Sequence, residues 1–304
     1  MSCDSSREIP VGGGGLTVRR RAVGLVTCRV LPEPDPDQEP LLAALREAGL
    51  AAEMVAWDDP EARRPGAFDL CVPRSCWNYF RAPEAFLAWC EEAARDSRLL
   101  NPLPVVRWNL HKRYLLELEA AGVPVVPTVL LERGSPACFS AVLAERGWRD
   151  VVVKPAVSAA SYSTRRFRPG EAAAGREFLA SLLAERDALV QPYLPSAEGP
   201  GERAVVWIDG GVTHAVRKSP RLAGDHERVS EAVPVAPAER EVAERAIALA
   251  LRVSPLLYGR VDLLADEAGA LRVSELELIE PSLFLEQSPP ALERLVRAIL
   301  RELG

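Results

Sequence analysis

Two segments in the last third of the chain carry charged side chains at two-residue spacing. Arg260 and Asp262 lie in one predicted strand, and Glu275 and Glu277 lie in the next. Side chains two apart in a strand share one face, so pairing of these strands would bring three carboxylates together beside an arginine. Crowded carboxylates need a counter-ion, and a ligand set of oxygens alone favours magnesium. The alternative is a solvent-exposed face with ordinary surface carboxylates.

A third segment combines a lysine with small residues. The β-branched run 151–153 predicts a strand that ends at Lys154 and Pro155. Small residues let backbone N–H groups approach an anion closely, and serine hydroxyls add donors. A lysine beside such a loop is typical of phosphate binding, whereas the alternative is an ordinary hairpin. The small residues of this loop are Ser158, Ala159, Ala160, Ser161 and Ser163.

A polar loop follows the third predicted strand, in the segment Arg74-Ser75-Cys76-Trp77-Asn78-Tyr79. The carboxyl ends of strands are where α/β sheets bind their ligands. The side chains of Arg74, Ser75, Asn78 and Tyr79 could therefore hold a small polar substrate. The alternative is a loop that is merely anchored by a packed Trp77.

Lys112 is expected in the first turn of a helix over residues 110–122, with Asn109 as its N-cap. A cation is unfavourable at that end of the helix dipole. An anion bound at the helix start would explain the lysine. The alternative is a solvated surface lysine.

The elements that must position these residues alternate between strand and helix in the first part of the chain. The predicted strands are 22–28, 52–57, 68–74 and 99–102, and the predicted helices are 39–50 and 86–97. This alternation indicates a parallel, right-handed α/β unit. Residues 1–20 are expected to form a disordered leader.

Farther along, strands and helices are mixed with a hairpin over residues 202–218 that turns at Gly210-Gly211. The polar stretch 219–233 is typical of a lid or a binding loop. The remaining predicted strands are 123–131, 188–194, 256–266 and 270–281, and the remaining predicted helices are 139–147, 174–187, 238–253 and 289–303.

Composition excludes several classes of protein. The net charge of −6 and pI of ≈ 5.4 argue against a nucleic-acid partner, because there is no basic excess to neutralise phosphates. No apolar run approaches the roughly 18 residues that span a bilayer, so no membrane partner is expected. The six cysteines show no zinc-ligand spacing, and a reducing cytoplasm is the simplest setting for them.

The ordered set of motifs resembles the ATP-grasp superfamily over roughly residues 20–304. The segments RSCWNY, KPAVSAASYST and ELELIEPSLFL are most similar to the O-ureido-D-serine cyclo-ligase group of D-cycloserine biosynthesis. The motifs are Lys112, Lys154-Pro155 with its loop, Gln191-Pro192-Tyr193-Leu194, Arg217-Lys218, Arg260-Val261-Asp262 and Glu275-Leu276-Glu277.

The resemblance implies an α/β protein with the three-lobed ATP-grasp fold. The N-terminal parallel α/β lobe would cover residues 21–106 and would face the substrate. A central lobe, residues 107–193, would carry the phosphate loop and the hinge. A C-terminal lobe, residues 194–304, would carry the metal site.

The resemblance also implies a role for each motif. Lys112, Lys154 and the loop serines Ser158, Ser161 and Ser163 would contact the phosphates of ATP. Gln191, Tyr193 and Leu194 would form the hinge at adenine, with Glu198 or Glu202 near the ribose. Asp262, Glu275 and Glu277 would hold Mg²⁺, with Glu280 as a further candidate because the family's usual Glu-x-Asn pair is absent. Arg260 would face the transferred phosphoryl group, assisted by Arg217 and Lys218, and Arg228 would contact substrate.

The function implied is an ATP- and Mg²⁺-dependent, ADP-forming carbon–nitrogen ligase. It would activate a carboxylate or carbonyl oxygen of a small-molecule acceptor for attack by an amine or an internal nitrogen. Two alternatives stay open: a nucleotide-binding regulatory protein without turnover, and a kinase-like enzyme that stops at phosphoryl transfer. A homodimer is also left open.

Overall fold

The N-terminal part of the protein is a parallel sheet with helices beside it. The computed structural model describes residues 20–136, 138–159, 161–219 and 228–304. The N-terminal sheet has the strand order β2-β1-β3-β4, and all its pairs are parallel, which confirms the predicted α/β unit. Its strands are β1 (Ala22–Thr27), β2 (Ala51–Ala56), β3 (Leu70–Ser75) and β4 (Arg98–Leu99), and its helices are α1 (Gln38–Glu47), α2 (Pro83–Asp96) and α3 (Leu103–Asn109).

The central sheet is antiparallel, with the order β5-β8-β6-β7. The predicted strand 123–131 is reduced to its last three residues, because Pro124 and Pro127 have no N–H to donate to a ladder. The strands are β5 (Val129–Leu131), β6 (Val151–Pro155), β7 (Arg165–Phe167) and β8 (Ala188–Pro192), and the helices are α4 (Tyr114–Ala120), α5 (Phe139–Arg146) and α6 (Ala172–Glu185).

The C-terminal sheet is also antiparallel, with the order β11-β10-β9-β12-β13. Its hairpin turns at Asp209 and Gly210, one residue earlier than predicted, and both have positive φ, as two-residue hairpin turns of type I′ require. The strands are β9 (Glu202–Ile208), β10 (Gly211–Ser219), β11 (Arg228–Val229), β12 (Tyr258–Ala265) and β13 (Leu271–Glu277), and the helices are α7 (Pro237–Val253) and α8 (Pro289–Leu303).

Strand pairing confirms the register expected for the charged segments. Arg260 pairs with Glu277, and Asp262 pairs with Glu275, across the β12–β13 ladder. Strand β13 ends at Glu277, four residues before the predicted end, and the chain continues without regular structure through Leu285. The four charged residues therefore share one face of the sheet at its β13 edge.

The N-terminal sheet and the C-terminal sheet share a hydrophobic core. Leu25 of β1 and Leu70 of β3 are completely buried in one cluster with Val206 of β9 and Leu295 of α8. This packing fixes the N-terminal sheet against the C-terminal sheet. Within the described ranges, none of the helices is both long and apolar enough to cross a membrane.

The helix predicted around Lys112 is divided in two. Helix α3 ends at Asn109 and α4 begins at Tyr114, so Lys112 lies in the turn between them. Asn109 does not cap a helix, because its side-chain amide donates to Leu276 O (2.8 Å) and accepts from Leu278 N (2.9 Å). The expected lobe boundary at 106/107 falls inside α3.

Candidate active site

A cavity of ≈ 310 Å³ opens between the central and the C-terminal sheets. Lys154 of β6 and Gln191 of β8 line it from the central sheet, and Lys218 of β10 and Asp262 of β12 line it from the other. Trp77 and Tyr79 reach it from the N-terminal part of the chain. The site is therefore assembled from all three sheets.

Two lysines hold one carboxylate inside this cavity. Lys154 Nζ donates to Glu275 Oε1 at 2.7 Å, and Lys112 Nζ lies 3.6 Å from Glu275 Oε2. Lys112 Nζ also donates to Ser158 O at 2.8 Å, which ties the turn between α3 and α4 to the small-residue loop. Burial opposes ionisation of Glu275, but the two ammonium groups outweigh it and lower the pKa of this carboxyl far below its usual range. Two ammonium groups converging on one oxyanion form an anion-binding arrangement.

The whole sequence contains only three lysines among its 37 basic residues, and all three line the cavity. Each lies 6% or 7% exposed, and each forms an ion pair with a carboxylate of the same cavity. Elsewhere the chain uses arginine. The scarcity of lysine was thus a signal for Lys112, Lys154 and Lys218 that motif reasoning alone did not use.

A second charged cluster surrounds Asp262. Arg260 donates to Asp262 through Nε (2.8 Å) and Nη2 (2.9 Å), and Lys218 Nζ donates to Asp262 Oδ2 at 2.6 Å. Burial disfavours the Asp262 anion, yet these two cations reverse that effect and lower its pKa. Arg260 Nη2 also donates to Glu277 Oε1 at 2.5 Å. The prediction that these side chains converge on one face is confirmed.

Glu280 lies in the same cavity with no salt bridge among the described residues, and it is 6% exposed. Burial, together with the neighbouring charge of Glu277, raises the pKa of Glu280 to about 8. Burial is also the main cause that raises the pKa of Glu277 to about 7. Burial and the neighbouring charge of Glu280 raise the pKa of the Tyr79 hydroxyl. A buried carboxylate of this kind is stabilised when a cation binds beside it.

The predicted adenine hinge lies along the cavity rim. Gln191, Tyr193 and Leu194 all line the cavity, and Gln191 Nε2 donates to Thr128 Oγ1 at 2.8 Å. The Arg166 guanidinium stacks on the Tyr193 ring, 3.4 Å from its centroid, and is fixed by two hydrogen bonds to Asp150. The hinge thus presents a fixed aromatic and apolar surface to the cavity.

The small-residue loop contacts the N-terminal part of the protein. Ser161 and Ser163 have positive φ (57° and 50°), a backbone conformation that non-glycine residues adopt at a cost. Between them, Tyr162 stacks on Phe80 with ring centroids 4.3 Å apart. Ser158 and Ser161 line the cavity, whereas Ser163 does not.

The Arg74–Tyr79 segment is placed differently from the expectation, with only Trp77 and Tyr79 lining the cavity. Arg74 is 2% exposed and pairs with Asp37. Ser75 Oγ donates to Thr27 Oγ1 at 2.9 Å, and Asn78 binds the side chains of Trp57 and Asp58. Burial in the N-terminal sheet explains this, since all six residues of β3 are buried.

Four further predicted residues have distinct positions. Arg217 and Lys218 are adjacent in β10 and therefore point to opposite faces, so Lys218 lines the cavity while Arg217 is exposed. Glu202 lines the cavity and lies 3.0 Å from Lys218 Nζ, whereas Glu198 pairs with Arg166 outside it. Arg228 is exposed at the edge strand β11. Most of the loop predicted as a lid, residues 220–227, lies outside the described ranges.

The donor set fits a magnesium ion that arrives with phosphates. Asp262, Glu277 and Glu280 supply only oxygen donors to the cavity. Among the described residues, no three Asp, Glu, His or Cys side chains are arranged to hold a metal by themselves. Mg²⁺ is usually bound by one or two carboxylates together with substrate phosphates. Both oxygens of Glu275 pair with lysines, and both oxygens of Asp262 pair with Arg260 or Lys218, so either carboxylate would have to release a cation to bind Mg²⁺, whereas Glu280 would not.

Comparison with known proteins supports this chemistry. A model of the D-cycloserine synthetase DcsG N-terminal domain matches residues 23–101. The cycloserine biosynthesis protein DcsG of Streptomyces lavendulae is 35% identical over 300 residues, covering 92% of this chain and 98% of its own. The crystal structure of D-cycloserine synthetase DcsG superposes with a TM-score of 0.86 at 35% identity, covering 93% of this chain and 100% of that one.

The chain belongs to the ATP-grasp superfamily. It is an ATP-dependent, ADP-forming ligase that makes a carbon–nitrogen bond. The comparisons favour this function over a regulatory protein without turnover and over a kinase-like enzyme. The ATP-grasp ligase PsnB, solved with a minimal precursor, Mg and ADP, shares the fold at a TM-score of 0.59 and 20% identity, covering 91% of this chain and 96% of its own. ATP-grasp ligases use ATP and Mg²⁺ in general.

Proposed function

We propose that this ligase binds ATP in the ≈ 310 Å³ cavity and activates an oxygen of a small amino-acid derivative for ring closure by its own nitrogen. The proposed acceptor is O-ureido-D-serine or a close analogue, since the relative at 35% identity is a D-cycloserine synthetase. We keep residues 21–106, 107–193 and 194–304 as the proposed lobes. Cytoplasmic location is part of the same proposal.

The observation that carries the proposal is the pairing of two lysines with Glu275. Two buried ammonium groups, those of Lys112 and Lys154, converge on one carboxylate at 3.6 and 2.7 Å. A phosphate presents the same kind of charged oxygen to these donors and carries more charge than a carboxylate. We infer that the β- and γ-phosphates take over part of the pairing that Glu275 makes in the nucleotide-free protein. Adenine would then lie at Gln191–Leu194, with Glu202 near the ribose.

The second half of the cavity suits the reaction itself. The acceptor oxygen attacks the γ-phosphorus, the bond to ADP breaks, and the nitrogen then attacks the activated carbon while phosphate leaves. Negative charge develops on the transferred group, and Arg260 and Lys218 lie where they could stabilise it. Mg²⁺, held by Asp262, Glu277 and Glu280, would supply further charge neutralisation on the phosphates.

The acceptor would enter from the N-terminal side of the cavity. Trp77, Tyr79 and Ser282 line that side and offer an indole face and hydroxyl groups. Of the substrate residues predicted from sequence, Tyr79 keeps that role in the proposal. Arg74, Ser75 and Asn78 would support the cavity from positions that do not line it.

A substrate panel tests the proposed activity. The purified full chain is incubated with ATP, Mg²⁺ and either O-ureido-D-serine, linear amino-acid pairs or simple carboxylates, and ADP release is followed together with product mass. We expect ADP release that depends on O-ureido-D-serine and a product that is cyclic and unphosphorylated. A persistent phosphorylated product would indicate a kinase. The proposal would be contradicted if none of these acceptors caused ADP release.

Lysine acetylation gives a second, independent test. Because the chain has only three lysines, limited acetylation followed by mass spectrometry reports directly on the cavity. We expect Mg²⁺ with a non-hydrolysable ATP analogue to protect Lys112 and Lys154. Equal labelling with and without the analogue would place the nucleotide elsewhere.

A further inference from the structure

The segment that follows β13, residues 278–285, has an unusual set of hydrogen bonds. It contributes Glu280 and Ser282 to the cavity but belongs to no helix or strand. Buried backbone groups must find partners, and here the partners of five successive carbonyl groups are side chains. The donors to the carbonyl oxygens of residues 278, 279, 280, 281 and 282 are, in order, Asn101 (2.7 Å), Tyr258 (2.9 Å), Trp77 (2.9 Å), Arg74 (2.8 Å) and Arg260 (3.2 Å).

Asp37 binds the N–H groups of the same segment, whereas the other side chains bind its carbonyl groups. Its Oδ2 accepts from Leu283 N at 2.5 Å, and its Oδ1 accepts from Leu285 N at 2.7 Å. Asp37 stands at the N-cap of α1, where an aspartate normally accepts from its own helix, yet it makes no such side-chain bond. Its carboxylate is instead used on a segment almost 250 residues away along the chain. It is 1% exposed.

Arg74 links Asp37 to the same segment. Its Nη2 donates to Pro281 O and lies 3.4 Å from Asp37 Oδ2, and its guanidinium lies over the Tyr258 ring at 5.0 Å. Its Nε and Nη1 have no hydrogen-bond partner within the described part of the chain. A buried arginine with unused donors is unfavourable for stability, which makes Arg74 a candidate for a role beyond packing.

We propose that Asp37, Arg74 and Trp77 are positioning residues that hold Glu280 and Ser282 in the geometry that the reaction needs. This inference rests on the proposed function, because Glu280 is there assigned to face Mg²⁺. Three N-terminal side chains fix the carbonyl of Glu280, the carbonyl of Pro281 and the N–H groups of Leu283 and Leu285. The N-terminal part of the ligase therefore shapes the phosphate and metal side of the cavity as well as the acceptor side.

The informative change is Asp37→Asn. It keeps the shape of the side chain but replaces one acceptor oxygen by a donor, so one of the two N–H groups loses its partner. We expect kcat at saturating ATP, Mg²⁺ and acceptor to fall roughly ten- to a hundredfold, since displacements near 1 Å in a site have that effect. The half-saturating Mg²⁺ concentration should rise. The matched control is Glu39→Gln, which removes the same charge from an exposed position in the first turn of α1.

Trp77→Phe is the second variant, and it serves if Asp37→Asn does not fold. It removes the Nε1–H bond to Glu280 O and part of the buried indole, and it keeps one aromatic ring at the position. We expect a smaller decrease in kcat, and a smaller increase in the half-saturating Mg²⁺ concentration, than for Asp37→Asn. Binding of Mg²⁺ with a non-hydrolysable ATP analogue, measured by calorimetry on the full chain, should weaken in both variants.

Glu280→Gln separates positioning from general stability. If Asp37 acts through Glu280, then Asp37→Asn should cost much less in the Glu280→Gln background than in the wild type, because neighbours in one network are not additive. The inference is overturned if Asp37→Asn and Trp77→Phe only lower the melting temperature, if Glu39→Gln causes the same loss, or if the Asp37→Asn loss is unchanged by Glu280→Gln. Failure of the wild type itself to bind the Mg²⁺ analogue complex would instead refute the proposed function.

Discussion

Replacing Lys154 by methionine removes one charge from the proposed phosphate site while keeping a side chain of similar length. Lys154 Nζ pairs with Glu275 Oε1 at 2.7 Å, and the two side chains are 8% and 26% exposed. We expect two separate effects from Lys154→Met. The folded protein loses an ion pair, and the nucleotide loses a cation.

The size of each effect follows from the geometry. Breaking a fully buried ion pair by removing one partner costs about 3–5 kcal/mol. Glu275 keeps Lys112 at 3.6 Å and some exposure to solvent, so the loss in unfolding free energy should be smaller, about 1–3 kcal/mol. A hydrogen bond to a charged group contributes about 1.5–3 kcal/mol, which corresponds to a Kd for ATP that is about 10- to 150-fold higher.

The assay pairs calorimetry with denaturation. A non-hydrolysable ATP analogue is titrated with Mg²⁺ present, at a temperature where urea denaturation shows that both proteins are folded. Glu275→Gln is the matched control, because it breaks the same Lys154–Glu275 ion pair but leaves the ammonium group in place. We expect it to lose stability without a comparable loss of nucleotide affinity.

The result that would refute this reasoning is specific. Equal weakening of nucleotide binding in Lys154→Met and Glu275→Gln would mean that the ion pair supports the cavity wall and that Lys154 does not contact phosphate. A shift of the Mg²⁺ titration in Glu275→Gln, without one in Glu280→Gln, would show that Glu275 is the metal ligand and that the assignment to Glu280 is wrong.

Three further predictions concern the cavity and its supports. In metal-free protein the pKa of Glu280 is raised from 4.5 to about 8, so the folded state binds more protons than the unfolded state between these pH values. The unfolding free energy should therefore fall as the pH rises from 4.5 to about 8. Glu280→Gln should weaken this pH dependence, measured as the midpoint of urea denaturation. Tyr162→Ala should remove a stack with Phe80 of about 0.5–1.5 kcal/mol and increase ADP release without acceptor, whereas Tyr162→Phe should not. Asn101→Ala should lower the unfolding free energy by about 2–4 kcal/mol in urea denaturation, because Asn101 makes three buried hydrogen bonds.

Local sequence patterns predicted the parts of the site that lie on regular strands. Alternation placed Arg260 with Asp262, and Glu275 with Glu277, on one face of each strand, and the β12–β13 pairing brings the two pairs together as expected. Lys154 was predicted at the end of a strand from the β-branched run before it and the proline after it. Period-two alternation determines the direction of a side chain, so such predictions need no knowledge of distant contacts.

Contacts between distant segments explain what the sequence did not predict. Arg74 was expected at the substrate because it follows a strand, but its partner Pro281 lies 207 residues later. Trp77 reaches Glu280 over 203 residues. No local pattern reports such a pairing. Glu280 was only an additional candidate for the same reason, since β13 ends at Glu277 and the direction of later side chains depends on the groups that bind the 278–285 segment.

The use of lysine and arginine in the cavity follows from the different chemistry of the two cations. Arg260 binds Asp262 through two nitrogens at 2.8 and 2.9 Å, a bidentate pair that fixes both side chains. Lys154 binds Glu275 through a single nitrogen. A compact ammonium group can exchange one oxyanion for another, because its contact does not depend on the planar, two-point geometry of an arginine–carboxylate pair. A phosphate can therefore replace Glu275 at the lysines, whereas it could not easily displace Asp262 from Arg260. Under the proposed function, Lys112 and Lys154 are therefore the cations whose pairing changes when the nucleotide binds.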